Sequence, residues 1–431
     1  ELSEEQSARF HEKWVVGYGH ASVAEHAVLH IAFENVSRLA IECIESNRLA
    51  SYTEKSTRYQ KWGPDDFVIP PELEEHPLRE EYVHTVRRLF QTYAASLAPA
   101  RRVIEKRFPR REGETLEAWD RRVRSHYVDS CRFLLPAASL ANVGMTVNAR
   151  ALEHAIRKML SHPLAEVRQI GQEVKDVARG EVPTLVKYAD AVPYLVGTAE
   201  DLTAQATEMG TLSPDDWCRL IDYDRDGETK VLAAALYRFG GMSYARALDA
   251  VRSRPEPERA RLAESLLGRL RRHDIPLREL EYCSYTFDLL MDQGCYFEFK
   301  RHRMMTQTPQ RLTTRLGYAR PRLLVEAGFG SEYDAAMHST AEMFERLDEA
   351  LGPHVAQYVV PNGFNRRVLC TFNLREAFHF CQLRAASNAH FSIRRVALRV
   401  AEEIRRVHPL LARYMRLPEE NWQEVERRYF A

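Results

Sequence analysis

Lys300-Arg301-His302-Arg303-Met304-Met305-Thr306 decides how the chain is read. It follows an apolar run, Cys295-Tyr296-Phe297-Glu298-Phe299, and precedes a Thr-rich polar segment from Thr306 to Arg315. Two guanidiniums flanking an imidazole at the end of an apolar element make a compact cationic corner. Arg forks pair bidentately with phosphates and with the oxygen-rich edge of a polar ring. The same residues suit a solvated basic cap at a helix C-terminus, where cations offset the helix dipole. A second polar set elsewhere in the chain bears on the choice.

Working outward, length and composition set bounds. At 431 residues the chain exceeds one ordinary domain and suggests two of roughly 200 each. Lys+Arg equals Asp+Glu at 61 each, so formal net charge is zero, which argues against a general nucleic-acid coat. No apolar run is long enough to span a bilayer. The first residue is Glu and no signal-like start is visible. Seven Cys without paired short spacings read as reduced thiols of a cytoplasmic protein. Neither CxxC nor HExxH occurs, so no metal site is expected.

Taken in order, residues 3–16 read as an amphipathic helix, broken at Gly17-Tyr18-Gly19-His20. Residues 27–33 have the β-branched look of a strand, and 37–47 a helix. Residues 48–59, polar and rich in small side chains, read as a binding loop. A short strand ends at 67–71, and a helix follows over 76–97. Residues 101–126, dense in Arg and Glu, read as a charged, solvated helical insertion rather than an RNA contact. Helices follow to 159 and over 164–179. Val-Pro-Tyr, Gly197, Gly210 and Ser213-Pro214 place a linker at 191–215, between copies at 1–190 and 216–431. The second copy opens at 230–237, continues in Arg-rich helices to His273, and has a strand candidate at 281–289. Long helices are expected over 333–351 and 375–408.

The copies echo each other. Leu135-Pro136 to Asn148-Ala149-Arg150 matches Val360-Pro361 to Asn373-Leu374-Arg375, with Pro and Arg 14 apart in both. Val167-Arg168 and Ile393-Arg394 follow 18 and 19 residues later. Glu25-His26 answers to Glu281-Tyr282, and Arg48-Leu49-Ala50-Ser51 to Arg303-Met304-Met305-Thr306. The copies have kept different parts. The first keeps Glu54, Ser56 and Arg58; the second keeps Arg301-His302-Arg303 and Gln382-Leu383-Arg384.

Arg150, Arg168, Arg375 and Arg394 lie on or at the starts of expected helices, where forks and backbone N–H groups make anion sites. Ordinary inter-helix ion pairing is the competing reading. No GxGxxG or GxxxxGK[ST] run occurs, so neither a Rossmann nor a P-loop route to a cofactor is expected. Cys131 and Cys218 read as core thiols, and Ser51 and Ser56 lack an adjacent base. A bound cofactor is therefore a better carrier of chemistry than a protein nucleophile.

These motifs resemble the flavin-dependent thymidylate synthases. Arg301-His302-Arg303-Met304-Met305-Thr306 resembles the family's Arg-His-Arg-x-x-Ser, with Thr for Ser. Glu54-Lys55-Ser56-Thr57-Arg58-Tyr59 resembles its Glu-x-Ser-x-Arg-Tyr loop. Gly19-His20-Ala21-Ser22 with Glu25-His26, the two Asn-x-Arg motifs, Gln382-Leu383-Arg384 and Ile393-Arg394 resemble further family motifs. The resemblance implies an α/β (α+β) fold, a sheet flanked by long helices, in two tandem copies. It implies FAD as cofactor, NADPH and methylenetetrahydrofolate as co-substrates, and reductive methylation of the pyrimidine nucleotide dUMP to dTMP. Arg301, His302, Arg303, Gln382, Arg384 and Ser22 would hold FAD. Glu54, Ser56, Arg58, Arg150, Arg168, Arg375 and Arg394 would hold the nucleotide, with His302, Arg303 and Ser56 nearest the chemistry. The family works as a homotetramer, so two fused chains would form a homodimer that mimics it. Neither copy carries the full set, and the expectation is complementation, with the Glu54 loop facing the Arg301 corner. A flavoenzyme for another pyrimidine nucleotide and a degenerate binding or scaffold protein are the rival readings.

Overall fold

The computed structural model describes residues 21–207 and 216–431, together with Gln6, Arg9 and Lys13. The helix expected over 3–16, the Gly17–His20 break, and Gly210 and Ser213-Pro214 of the linker lie essentially outside the described residues. The elements used below are β1 (Val28–Ser37), α1 (Arg38–Glu45), β2 (Ala50–Glu54), α2 (Arg79–Arg107), β3 (Leu140–Asn148), α3 (Ala149–Leu160) and α4 (Ala165–Glu181). They continue with β4 (Cys218–Tyr223), β5 (Ser284–Asp292), α5 (Gln293–Phe299), β6 (Thr306–Pro309) and α6 (Gly330–Leu351). β7 (Asn365–Asn373), α7 (Leu374–Arg384) and α8 (Phe391–Val407) complete the set.

The fold mixes helices with small antiparallel sheets, one in each of two compact units. Residues 1–213, 313–316 and 327–362 make the first unit; 214–312, 317–326 and 363–431 make the second. The compact units are thus drawn differently from the sequence copies, because α6 belongs with the first. The expected linker carries a helix, Pro193–Thr207.

In the first unit the sheet order is β1-β3-β2. β3 alternates, with Ala141, Val143, Met145 and Val147 buried, so a period of two places one face on the core. Asn148 ends the strand and caps α3, its side chain accepting from Ala151 N at 2.9 Å. Residues 48–59, expected as a loop, contain β2, which pairs Ala50 with Val147 and Glu54 with Val143. Tyr52 and Thr53 suit a pleated edge, and the outward polar residues masked the alternation. The 101–126 stretch is the end of α2, a turn, and the helix Leu116–Cys131. Its charges pair among themselves, Arg101 with Asp120 at 2.9 Å and Arg122 with Glu114 at 2.7 Å.

Equivalent segments of the repeat meet inside this unit. Pro136 bridges Pro361, Ala137 N donates to Val360 O at 2.9 Å, and Asn362 N donates to Leu135 O at 3.0 Å. Each bond is the other with the copies exchanged, which is the signature of a local two-fold.

The second unit's sheet runs β4-β5-β7-β6. Tyr285, Phe287, Leu289 and Met291 of β5 are buried, as are Arg366, Val368, Cys370 and Phe372 of β7. Asn373 repeats the Asn148 cap, accepting from Glu376 N at 2.9 Å. The Thr-rich polar segment from Thr306 begins with edge strand β6. The helix expected over 375–408 is two, α7 and α8, parted at 385–390. That break matters, because it opens a cleft beside α7.

Candidate functional site

The cationic corner sits on the turn that ends α5. His302 N donates to Phe299 O at 3.0 Å and Met305 N to His302 O at 3.1 Å. This tight winding turns His302 inward, 4% exposed, and leaves Arg301 and Met304 outside. The imidazole lies edge-on to Phe380, with ring centroids 4.9 Å apart.

Both ring nitrogens of His302 are engaged. Arg384 Nε donates to Nε2 at 2.9 Å, and Nδ1 lies 2.9 Å from Glu376 Oε1. A guanidinium has only donors, so Nε2 must carry the lone pair and Nδ1 the proton. His302 is therefore a neutral imidazole that donates to Glu376. Burial pushes its pKa down, against the pull of Glu376, and the Arg384 charge adds to the fall. Burial also lowers Arg384, whose Nη1 pairs with Glu298 Oε2 at 2.9 Å. His302, Glu376 and His379 bring ligand atoms within 4.8 Å of one another, like a metal trio. The proton on Nδ1 and the guanidinium on Nε2 leave His302 no lone pair for a cation.

This chain of contacts backs onto a cleft of about 990 Å³ within the second unit. Arg375, Glu376, His379 and Gln382 of α7 line one side, with Arg272, Ile275, Met304, Leu383 and Arg416 around them. Arg375 Nε donates to Pro276 O at 2.9 Å, and Nη1 to Glu281 Oε1 at 3.0 Å. Gln382 Oε1 accepts from Arg416 N at 2.9 Å. Of the expected residues in this unit, the fold therefore brings His302, Gln382, Arg384 and Arg375 to one place. Arg301 and Arg303 flank His302 on the same turn. Arg394 is buried elsewhere, pairing with Glu420 and lying over the Tyr429 ring at 5.7 Å.

The residues expected in the first unit are held by their own surroundings. Glu54 pairs with Arg38 at 2.9 Å, both side chains nearly fully buried. Arg58 forks onto Asp129, with Nε and Nη2 each at 2.8 Å. Ser56 Oγ accepts from Arg58 N at 3.3 Å. Arg150 pairs with Glu25 at 2.5 Å, and Arg168 Nη1 donates to the His162 and Pro163 carbonyls. Ser22 is exposed on the 3-10 turn Ala21–His26. Arg150–Glu25 and Arg375–Glu281 occupy equivalent places in the repeat, so that pair belongs to the fold of both copies.

Sequence reasoning missed Glu376, Glu298, Arg38 and Asp129. A signal for Glu376 existed. Asn373 with Glu376 three residues on is a capping-box pattern, in which the Glu would reach back to the cap. Its side chain turns to His302 instead. All seven cysteines are free and buried, and burial holds their thiols up, Cys131 to about 12. Among the described residues no helix is long and apolar enough to cross a membrane.

The thymidylate synthase complementing protein family matches residues 1–184 and 219–410. The chain belongs to this family. The double match of a thymidylate synthase complementing protein agrees with the repeat read from the sequence. A UPF0159 protein of Chlamydia muridarum is 31% identical over 96% of this chain and 82% of its own length. Another, from Thermoplasma acidophilum, is 28% identical over 96% of this chain and 89% of its own. A flavin-dependent thymidylate synthase of Thermococcus onnurineus is 29% identical over 196 residues, 44% of this chain and 67% of that protein.

Proposed function

We propose that this protein is a flavin-dependent enzyme that converts dUMP to dTMP, with FAD as cofactor and NADPH and methylenetetrahydrofolate as co-substrates. The observation that carries the reading is the Glu298–Arg384–His302–Glu376 chain, which backs onto a cleft large enough for a ring and its phosphates. The side chains there fit a flavin nucleotide. Ile275, Met304 and Leu383 offer apolar surface to a ring, and Arg272 and Arg416 offer guanidiniums to phosphate. FAD, when bound, supplies the hydride and one-carbon transfer chemistry that no side chain here provides.

The protein's own residues bind and orient. Arg301 and Arg303 put positive charge on the turn beside the cleft, where it favours an anionic ring or phosphate. His302, neutral and fully engaged, positions Arg384 and Glu376 rather than shuttling a proton. Buried thiols held in the protonated form support a route without a cysteine nucleophile.

Visible absorbance of purified protein tests for oxidised flavin. Tritium release from ring-labelled dUMP, dependent on NADPH and methylenetetrahydrofolate, tests the reaction. Flavin without tritium release would favour a flavoenzyme for another nucleotide. The pairing of Glu54 with Arg38 and of Arg58 with Asp129 favours a second reading, in which ligands bind the second unit alone and the first is a support. A protein that binds neither FAD nor dUMP would overturn both.

A further inference from the structure

α7 presents Arg375, Glu376 and His379 to the cleft. Glu376 Oε1 accepts a hydrogen bond from the His302 Nδ1–H. Its Oε2 has no protein donor among the described residues, although the side chain is only 8% exposed. That oxygen is turned to the solvent of the cleft, where a ligand donor can replace water. The preceding residue, Arg375, uses Nε and Nη1 on Pro276 and Glu281, and its Nη2 has no protein acceptor among the described residues. One turn along the helix from Arg375 stands the exposed ring of His379, with a ring nitrogen within 4.8 Å of the Glu376 carboxylate. The cleft wall thus carries one acceptor with a guanidinium and an imidazole beside it on the same helix.

We propose that Glu376 is the residue that reads an imide edge, C=O, N–H, C=O, of a ring ligand. The Glu376 carboxylate takes the N–H, and Arg375 and His379 serve the carbonyls. That edge is common to the pyrimidinedione ring of a flavin and to uracil. The inference rests on the flavin and nucleotide reading above and deepens it. An edge with two adjacent donors, such as the N–H and NH₂ of guanine, would set one of them against the Arg375 guanidinium, and so fits worse. Ile275 and Met304, 73% and 72% exposed, are the apolar surface available to the ring face. Because Arg384 fixes the His302 tautomer, the proton between His302 and Glu376 stays on His302. Glu376 therefore faces the cleft as an acceptor.

The test titrates the full-length protein with FAD and, separately, with dUMP, each against its counterpart methylated on the imide nitrogen. The wild type should reject the methylated ligand by roughly 10- to 100-fold, the range of a charge-assisted hydrogen bond. The arm that shows rejection identifies which ring is read. Glu376→Ala should abolish the discrimination in that arm. Glu376→Gln keeps an acceptor for His302 with its single carbonyl, so its NH₂ turns to the cleft. It should lose the imide in that arm and, where dUMP is the ring read, move ring preference from dUMP toward dCMP, whose ring nitrogen accepts. This change of preference is a readout that a loss of folding cannot imitate. Equal binding of parent and methylated ligands by the wild type, or discrimination surviving in Glu376→Ala, overturns the inference alone. Wild-type protein that binds neither FAD nor dUMP overturns the flavin and nucleotide reading and this inference with it.

Discussion

Arg384 Nε donates to His302 Nε2 at 2.9 Å, and the same guanidinium pairs with Glu298 at 2.9 Å. The guanidinium is the main charge opposing an imidazolium at His302, while Glu376 favours one. Arg384→Met should therefore raise the His302 pKa, as measured by NMR titration of its ring protons. The variant should also lose about 2–4 kcal/mol of stability, since Glu298 is left part-buried without its partner. A His302 pKa that is unchanged or lower in Arg384→Met would refute the tautomer assignment.

The Arg-His-Arg corner was legible because three polar residues interrupt an apolar run and their chemistry does not depend on distant contacts. The repeat was legible from Pro136 and Arg150 against Pro361 and Arg375. β7 was not, because buried Arg366 occupies a core-facing position and spoils its alternation. That Arg is tolerated because Gln310 O and Gln293 Oε1 accept from it, partners 56 and 73 residues away. Pairings of this kind are invisible in a one-dimensional pattern. The same holds for the partners of Arg58 and Arg150, since nothing in the sequence places Asp129 and Glu25 beside them.

The two copies use one buried contact with its chemistry exchanged. Ser37 ends β1, caps α1 and donates to Glu166, the second residue of α4. In the other copy Asp292 ends β5, caps α5 and accepts from Ser392, the second residue of α8. Glu166 also accepts from Ser37 N at 2.8 Å and Tyr358 Oη at 2.5 Å. Glu166→Ala strands three donors and should cost about 3 kcal/mol or more in urea unfolding. The double exchange Ser37→Asp with Glu166→Ser should recover at least half of that loss. If the double variant is no more stable than Glu166→Ala, the correspondence between the two sites is only formal.

Several histidines are kept neutral by burial. His126, His302 and His408 are lowered, and His162 falls to about 4. In the unfolded chain each takes a proton near pH 6.5. Between that value and the lower folded value the unfolded state binds more protons, so stability rises with pH and is lost on acidification. The melting temperature should drop as pH falls from about 7 toward 4. His162→Asn, which keeps an acceptor for Leu164 N, should flatten the profile in that window. Parallel profiles for the two proteins would show that His162 is not among the groups responsible.

Arg58 is the sharpest test of whether the first unit contributes to ligand binding. Its fork onto Asp129, which also pairs with Arg132 at 2.5 Å, predicts a stability role. Arg58→Ala leaves Asp129 with Arg132, so the loss should be modest, about 1–2 kcal/mol in urea unfolding. If the residue also serves the nucleotide, as its motif suggests, dUMP affinity should fall at least tenfold, well beyond the effect of Asp129→Asn, which loosens the fork but leaves the guanidinium in place. Flavin absorbance measured on the same samples separates a general loss of structure from a loss of nucleotide. Undiminished dUMP and FAD binding by a folded Arg58→Ala protein would confine the guanidinium to the Asp129 pair and leave ligand binding to the second unit.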